Sequence, residues 1–407
     1  MRSLVFFLIL VLLVAVEFIG LNPVFLRGLS ISNLLLLFVL VSTVVCFIQS
    51  ARAVPLFGML LVILIWALVS FLLFENLSGM RVRFVEDLRY FKDSLVAPMV
   101  LFCYGYLVST TAQESKRVVL GILILFSFLN LLAMAQLVTG IQVFTVAAHY
   151  VGGGRFTGFG NPNKTAYYLA FLLPLYFFFY RSSPSQLIRQ FCFFSIFLAI
   201  FSILLTGSRG GIICVAVFLA SLLLIFREWK LHVSMLGSAL FAIPFLLGSS
   251  SFLNKLSGAF ERFLLFKTAT SAEEVTAYRS VIWDEALTFF GKGEVVAKFI
   301  GFGFGSTTYY ISIQDMHNWY LKMLFEFGIL GLLFSLVFIL KFAFFIRKMT
   351  SQSNRTYSHL IQVSFFCVFL AFFFSTLSGI FSLFTLTFGA VLALLVSQFY
   401  EPVHERT

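Results

Sequence analysis

Long apolar runs, separated by short polar connectors, make up most of the chain. About 20 apolar residues in a helix cross the roughly 30 Å hydrocarbon core of a bilayer, so the pattern predicts about twelve transmembrane helices. None of the runs shows the two-residue alternation of a barrel strand, which favours helices. We therefore expect an all-α integral membrane protein with one polytopic domain over residues 1–407. The predicted spans lie near residues 4–22, 29–49, 55–75, 94–110, 118–138, 165–180, 191–207, 210–226, 231–250, 319–345, 357–377 and 380–399.

One polar stretch, residues 251–318, interrupts this pattern for much longer than any other connector. After Arg279 it places apolar residues at Ile282, Ala286 and Phe290, a spacing typical of a surface helix. We expect a single large loop with short helices on one side of the membrane.

Composition supports the same class. The chain is 60% hydrophobic and only 11% charged, whereas about a quarter of the residues of a soluble protein are charged. The net charge of +11 comes largely from basic residues in short connectors, which is the pattern of cytoplasmic loops. Both termini are then predicted to be cytoplasmic and the long loop to face outward. No basic patch with interleaved aromatic residues suggests a nucleic-acid partner.

Residues 76–93 mix basic, acidic and aromatic residues. This composition fits either an interfacial helix or a solvated connector.

The sequence contains no pattern typical of a metal or nucleotide site. The five cysteines fall inside apolar runs without CxxC spacing, so buried thiols are expected rather than disulfides or zinc ligands. The acidic pairs, for example Asp284-Glu285, lack a DxD or histidine-rich partner spacing. No Walker sequence or nucleophile elbow is present. We therefore expect no metal and no cofactor.

Residues 154–164 form the first of three candidate segments on the outer side. Their glycines and the Asn-Pro pair predict turns, and Asn163 is a candidate cap for the following helix. Arg155 and Lys164 add cations near the membrane surface. The same pattern also fits a turn without a function.

The second segment is Ser208-Arg209-Gly210-Gly211, between two apolar runs. An arginine at a helix start directs its guanidinium, together with backbone N–H groups, towards an anion. The alternative is an arginine that extends to the interface. Its abrupt position between two spans favours an anion site.

The third segment is His317-Asn318, at the start of a predicted span. The helix dipole at an N-terminus disfavours the imidazolium form and keeps the ring neutral. A neutral imidazole can accept a proton, as a general base must. A lone histidine is more often structural, but the other four histidines have no comparable surroundings.

These segments together resemble the O-antigen ligase and polymerase superfamily of bacterial envelope enzymes, over about residues 150 to 335. The resemblance rests on the following residues, in order: Arg155-Phe156-Thr157-Gly158, Asn161-Pro162-Asn163, Ser208-Arg209-Gly210, Arg279 with Trp283, Gly301-x-Gly-x-Gly305, His317-Asn318-x-Tyr320 and Glu326-x-Gly328-x-x-Gly331.

The resemblance implies a GT-C-type glycosyltransferase of the bacterial inner membrane whose active site faces the periplasm. Such enzymes transfer a glycan from undecaprenyl diphosphate to an acceptor hydroxyl, with inversion and without a metal. By this resemblance Arg209 and Arg279 would hold the donor diphosphate, with Arg155 and Lys164 in support. His317 would activate the acceptor hydroxyl.

The resemblance further implies that Asn318 orients the reacting groups. It leaves the acceptor open between lipid A–core oligosaccharide, for a ligase, and a second lipid-linked repeat unit, for a polymerase. The short 141–164 loop favours the ligase, because polymerases often have two sizeable outer loops. A flippase for lipid-linked oligosaccharides is a rival from another class. It would show an internal repeat and cations in a central cavity, and the sequence shows no convincing repeat.

Overall fold

The computed structural model describes the chain in segments, and the description below refers to these segments. They are residues 2–14, 24–26, 29–49, 57–77, 91–108, 111–141, 143–144, 156–158, 161–224, 279–303, 306, 318–351 and 390–394, with a few isolated positions at 231, 234, 253–254 and 257–258. Within them the regular secondary structure is helical except for one small hairpin, in which β1 (Val24–Leu26) pairs antiparallel with β2 (Leu29–Ser30).

Eleven helices are labelled here in chain order. They are α1 Arg2–Val14, α2 Ile31–Gln49, α3 Phe57–Leu77, α4 Ala97–Leu107, α5 Ala112–Thr139, α6 Pro162–Ser182, α7 Gln186–Thr206, α8 Arg209–Leu224, α9 Arg279–Lys292, α10 Val295–Ile300 and α11 Trp319–Ser351. A π-helical turn, Lys92–Val96, leads into α4. Helix α11 is interrupted at Gly328, whose φ of 69° and ψ of −171° are not helical.

Three of the described helical segments are long and apolar enough to cross a membrane: Gln113–Thr139, Gln186–Thr206 and Tyr320–Phe345. Shorter apolar helical segments cover Asn33–Ile48, Leu61–Ser70, Ala97–Leu107 and Arg209–Leu224. The predicted helical class is thus confirmed for the described residues. The count of twelve spans, the GT-C fold and the single 251–318 loop stay predictions, since most of 231–278 and 352–389 lies outside the described residues.

Helix α6 lies at the centre of the described bundle. It is buried along most of its length, from Pro162 to Phe179, as expected of a helix that is apolar on all sides. Its neighbours α7 and α8 contribute Ile196, Ile203 and Phe218 to the same core. Because so little of α6 is exposed, residues at its ends are held firmly relative to the helices around it.

A chain of three hydroxyl groups ties α5, α6 and α7 together inside this core. Ser127 Oγ lies 2.8 Å from Tyr176 Oη and 2.8 Å from Ser195 Oγ, and Tyr176 Oη donates to the Leu123 carbonyl at 2.9 Å. A polar group in an apolar environment needs such a partner, and interhelical hydrogen bonds of this kind contribute about 0.6 to 2 kcal/mol each. They fix how the three helices are aligned along their axes.

Candidate functional site

A tight turn between α7 and α8 determines where Arg209 lies. Gly207 has a φ of 58° and donates its N–H to the Leu204 carbonyl at 3.0 Å. Thr206 Oγ1 accepts the N–H of Ser208 at 3.1 Å and donates to the Ile203 carbonyl at 2.6 Å. The chain reverses within two residues, and Arg209 becomes the first residue of α8.

Two glycines allow the start of α8 to pack directly on the start of α6. A Cβ atom at Gly210 would overlap the Tyr167 hydroxyl, and one at Gly211 would lie 2.6 Å from the Ala166 methyl carbon. Neither position has room for a side chain. Tyr167 is therefore a neighbour of the Arg209 turn that the sequence analysis missed.

Residues 156–158 pack against the same end of the bundle. Phe156 donates its N–H to the Leu205 carbonyl at 3.3 Å. Gly158 has a φ of 63°, and a Cβ there would overlap the Thr165 side chain. The Thr165 hydroxyl donates to the Thr157 carbonyl at 2.8 Å. The first and second candidate segments thus lie side by side, joined by Leu205.

The cap of α6 differs from the prediction. Asn161, not Asn163, is the N-cap residue: its Oδ1 accepts the N–H of Asn163 at 2.9 Å. Pro162 suits the first helical position because its missing N–H is not needed there, so the helix already includes Asn163. The predicted cap was wrong by two residues.

The result is a pair of helix N-termini, α6 and α8, at one end of the bundle. Lys164 lies in the first turn of α6 and Arg209 opens α8, and both are partly exposed. Helix N-termini present backbone N–H donors and a positive partial charge. The two cations add further N–H donors and full positive charges. Arg155, the remaining cation of this group, lies outside the described residues.

A second polar cluster forms where α10 meets the interruption in α11. Gly301 and Gly303 have φ values of 88° and 92°. This extended, left-handed stretch lets Phe302 donate its N–H to the Phe325 carbonyl at 2.9 Å and Gly303 to the Glu326 carbonyl at 3.1 Å. The carbonyls at the broken turn of α11 are thereby paired.

Helix α3 completes this junction with two polar side chains. Trp66 Nε1 donates to the Phe327 carbonyl at 3.2 Å. Ser70 Oγ lies 3.0 Å from the carbonyl oxygens of both Ile300 and Glu326. Backbone groups inside a membrane need partners from the protein, and Trp66 and Ser70 provide them. The only sequence signal was their polarity within an apolar run.

Aromatic rings hold α9 against this junction. The Phe302 ring centroid lies 4.9 Å from that of Phe325 and 5.1 Å from that of Phe289, which belongs to α9. Ile282 is buried in the same cluster. Arg279 is the first residue of α9, so this packing determines where the helix start lies.

Asn318 is the residue before α11, and its observed role is structural. Its Oδ1 accepts the N–H of Leu321 at 3.1 Å, and its carbonyl accepts the N–H of Lys322 at 3.0 Å. The side chain is an N-cap and is buried. His317, directly before it, lies outside the described residues, and so its role as a base stays a prediction.

Two turns into α11 the structure contains a buried ion pair that the sequence analysis did not predict. Lys322 Nζ lies 3.8 Å from Glu326 Oε1, with side-chain exposures of 10% and 0%. In the sequence, Glu326 was noted only as part of the motif Glu326-x-Gly328-x-x-Gly331. Lys322 could not be recognised as a site residue, because it is a single charged residue within an apolar span.

Four of the six predicted site residues therefore fall into two described groups, and the other two, Arg155 and His317, lie outside the described residues. Lys164 and Arg209 lie at the paired helix starts, while Asn318 and the backbone of Arg279 belong to the α9–α11 junction. That Arg209, Arg279 and His317 meet in one site stays a prediction. Across the described residues, no group of three or more histidine, cysteine, aspartate or glutamate side chains is placed to hold a metal ion.

The O-antigen ligase family model matches residues 194–336 of the chain. A comparison of the chain with curated proteins found no match. The matched segment includes most of α7, all of α8, α9 and α10, and the start of α11. The resemblance to the O-antigen ligase-like superfamily is thereby confirmed over the part of the chain that holds Arg209, Arg279 and His317. The match and the apolar helices together indicate a membrane protein that is similar to O-antigen ligases over residues 194–336.

Proposed function

We propose that the protein is an O-antigen ligase of the bacterial inner membrane. It transfers a glycan from undecaprenyl diphosphate to a hydroxyl group of lipid A–core oligosaccharide on the periplasmic face. The observation that carries this proposal is the pair of helix starts at Lys164 and Arg209, within or beside the segment that matches O-antigen ligase.

Two adjacent helix N-termini suit a diphosphate better than a single phosphate. Each end supplies backbone N–H donors and about half a positive charge, so each can serve one phosphoryl group. Arg209 offers a planar fork that matches two phosphate oxygens, and Lys164 adds a second cation. Arg279, at the start of α9, and Arg155 extend the set. The leaving diphosphate is neutralised in this way without a metal or another cofactor.

The transfer step needs one base. The acceptor hydroxyl oxygen attacks the anomeric carbon, and the bond from that carbon to the diphosphate oxygen breaks. His317 takes the hydroxyl proton, and undecaprenyl diphosphate leaves as the anion. Attack opposite the leaving group inverts the anomeric configuration. The cap formed by Asn318 supports this role, because it fixes the start of α11 at the residue that follows His317 in the sequence.

Reconstitution in proteoliposomes tests the proposal. The donor is an undecaprenyl-diphosphate-linked glycan, and the two acceptors, supplied separately, are lipid A–core and a second lipid-linked repeat unit. We expect glycosylated lipid A–core from the first acceptor and no elongation with the second. Elongation of the repeat unit alone would assign a polymerase instead. Movement of the donor across the bilayer without transfer would overturn the proposal in favour of a flippase.

A further inference from the structure

The first turns of α11 and the N-cap residue before them carry three buried polar residues at a spacing of four: Asn318, Lys322 and Glu326. They are 5%, 8% and 0% exposed. Residues four apart lie on the same side of a helix, so the three form one stripe that begins beside His317. The segment Tyr320–Phe345, which includes Lys322 and Glu326, is long and apolar enough to span a membrane.

The ion pair in this stripe is not explained by stability. Burying a lysine and a glutamate removes both from water, and a well-packed apolar pair of similar volume is often as stable or more stable. Ionisable groups inside membrane helices are rare and in general mark functional sites. Here the two members of the pair follow the predicted catalytic histidine, His317, by five and nine positions in the sequence.

Glu326 is the fixed member of the pair. Its carbonyl accepts the N–H of Gly303 at 3.1 Å and lies 3.0 Å from Ser70 Oγ, and its side chain is fully enclosed. These bonds fix the backbone of Glu326, and its enclosed carboxylate lies 3.8 Å from the ammonium group of Lys322. Lys322 lies one turn nearer to the helix start and is 8% exposed against 0% for Glu326, so it is the more accessible member of the pair.

A second observation at the same junction indicates a polar ligand. Ser306 is fully buried, and its hydroxyl has no hydrogen-bond partner within the part of the chain that the structure describes. Its N–H donates to the Gly303 carbonyl at 3.2 Å, and Gly303 in turn bonds to Glu326. A buried hydroxyl normally has a partner, and a bound hydroxyl group would supply one.

We propose that Lys322, held by Glu326, binds hydroxyl groups of a glycan at the transfer site. This inference rests on the proposed function. Because the carboxylate offsets the charge of the ammonium group, the pair offers hydrogen-bond donors without a net positive charge. Such a pair suits a neutral sugar hydroxyl, whereas the cations at the two helix starts, Arg209 and Lys164, suit the diphosphate. The glycan is that of the donor or that of the acceptor, and kinetics distinguish the two.

The test uses the double variant Lys322→Met/Glu326→Leu. Removing both charges leaves no unpaired buried ion, so the variant should insert and fold. Lys341→Met, an exposed lysine farther along the same helix, is the matched control. We expect an unchanged melting temperature in detergent for both. We expect kcat/KM of the double variant to fall by about tenfold to a hundredfold, the usual effect of losing a hydrogen bond to a charged group.

Which of the two KM values rises in the double variant identifies the ligand. A raised KM for lipid A–core with an unchanged KM for the donor assigns the acceptor glycan, and the reverse assigns the donor glycan. Wild-type values for kcat and both KM in the double variant would overturn the inference and leave the pair as structural.

A direct binding measurement separates this inference from the proposed function. If the wild type and Lys341→Met both fail to transfer any glycan, the proposed function fails. The inference is then decided by titrating wild type and double variant with the delipidated core oligosaccharide and with the free donor glycan. Saturable binding of either by the wild type, weakened in the double variant, supports the inference. Equal binding by the two proteins, or none by the wild type, overturns it.

Discussion

Gly301 and Gly328 lie back to back where α10 meets α11. A Cβ atom at Gly301 would overlap the Glu326 carbonyl and lie 2.5 Å from the backbone nitrogen of Phe327. A Cβ at Gly328 would overlap the Phe299 carbonyl and lie 2.5 Å from the backbone nitrogen of Gly301. Each glycine also has a positive φ, 88° and 69° respectively. The two backbones can touch only because neither residue has a side chain.

Gly328→Ala is therefore expected to destabilise the protein by about 3 kcal/mol or more, because strain at a glycine-only conformation adds to the backbone clash. Thermal unfolding in detergent measures the change. Gly291→Ala is the control: Gly291 is in α9 with open space around it, and alanine there should be neutral or stabilising by up to about 1 kcal/mol. Equal stability of the two variants would contradict the described junction.

Gly210→Ala should displace the start of α8, because the new methyl group would overlap the Tyr167 hydroxyl. A shift of about 1 Å in a positioning element can lower turnover about a hundredfold, so we expect glycan transfer to fall by ten- to a hundredfold. Adding Tyr167→Phe removes the overlapping atom and should restore part of the activity. Gly58→Ala, with nothing within 4 Å, serves as the control. Wild-type transfer in Gly210→Ala would show that this packing does not position the site.

Arg209→Ala is expected to weaken binding of undecaprenyl diphosphate by at least about tenfold, since a charge-assisted hydrogen bond is lost. Arg209→Lys should recover only part of this affinity, because an ammonium group lacks the bidentate fork. Binding of the radiolabelled lipid to purified protein measures both effects. Arg189→Ala, an exposed arginine in the first turn of α7, should bind as the wild type does. Full affinity in Arg209→Lys would argue against bidentate binding.

His317→Ala should leave the protein inserted and able to bind the donor, while transfer falls by about a hundredfold to ten-thousandfold, the usual contribution of a general base. Transfer at equal expression is the measurement, and His404→Ala is the control. Near-normal transfer by His317→Ala would remove this residue from the mechanism.

Asn318 has a structural role and a predicted chemical role, and two substitutions separate them. Aspartate is as good an N-cap as asparagine, whereas alanine costs about 1 kcal/mol. Asn318→Asp should therefore unfold at the wild-type temperature and Asn318→Ala at a lower one. If the amide also orients the reacting groups, Asn318→Asp loses transfer despite its intact cap. Wild-type transfer in Asn318→Asp would restrict Asn318 to capping.

Hydropathy was sufficient to predict the helical class, but it did not predict where individual helices begin. The apolar run 191–207 predicted a helix that in the structure begins at Gln186, because Ser185 caps it and the polar first turn remains helical. Helix α5 likewise begins at Ala112, where Thr111 and Glu114 form a capping box, whereas the apolar run began near residue 118. Polar first turns lie outside any hydrophobicity window, although their caps are visible in the sequence.

Candidate site residues were predicted where their signal is local. A cation flanked by glycines, as at Arg209, can be recognised from neighbouring residues alone. The same is not possible for Trp66, Ser70 and Lys322. Each of them contacts a partner that lies far away in the chain or one turn later in the helix. In two of these cases that partner is a backbone carbonyl, which every residue has, so the sequence gives no indication of it.

The hydrogen bonds from α3 to the interruption in α11 also have a consequence for how the protein is made. Trp66 and Phe327 are 261 positions apart, so at translation rates of 5–20 residues per second α3 leaves the ribosome roughly 13 to 50 s before its partner. During that time the Trp66 indole and the Ser70 hydroxyl must rely on water or lipid headgroups. The junction of α3 and α10 with α11 therefore cannot form until the chain has been synthesised past Gly328.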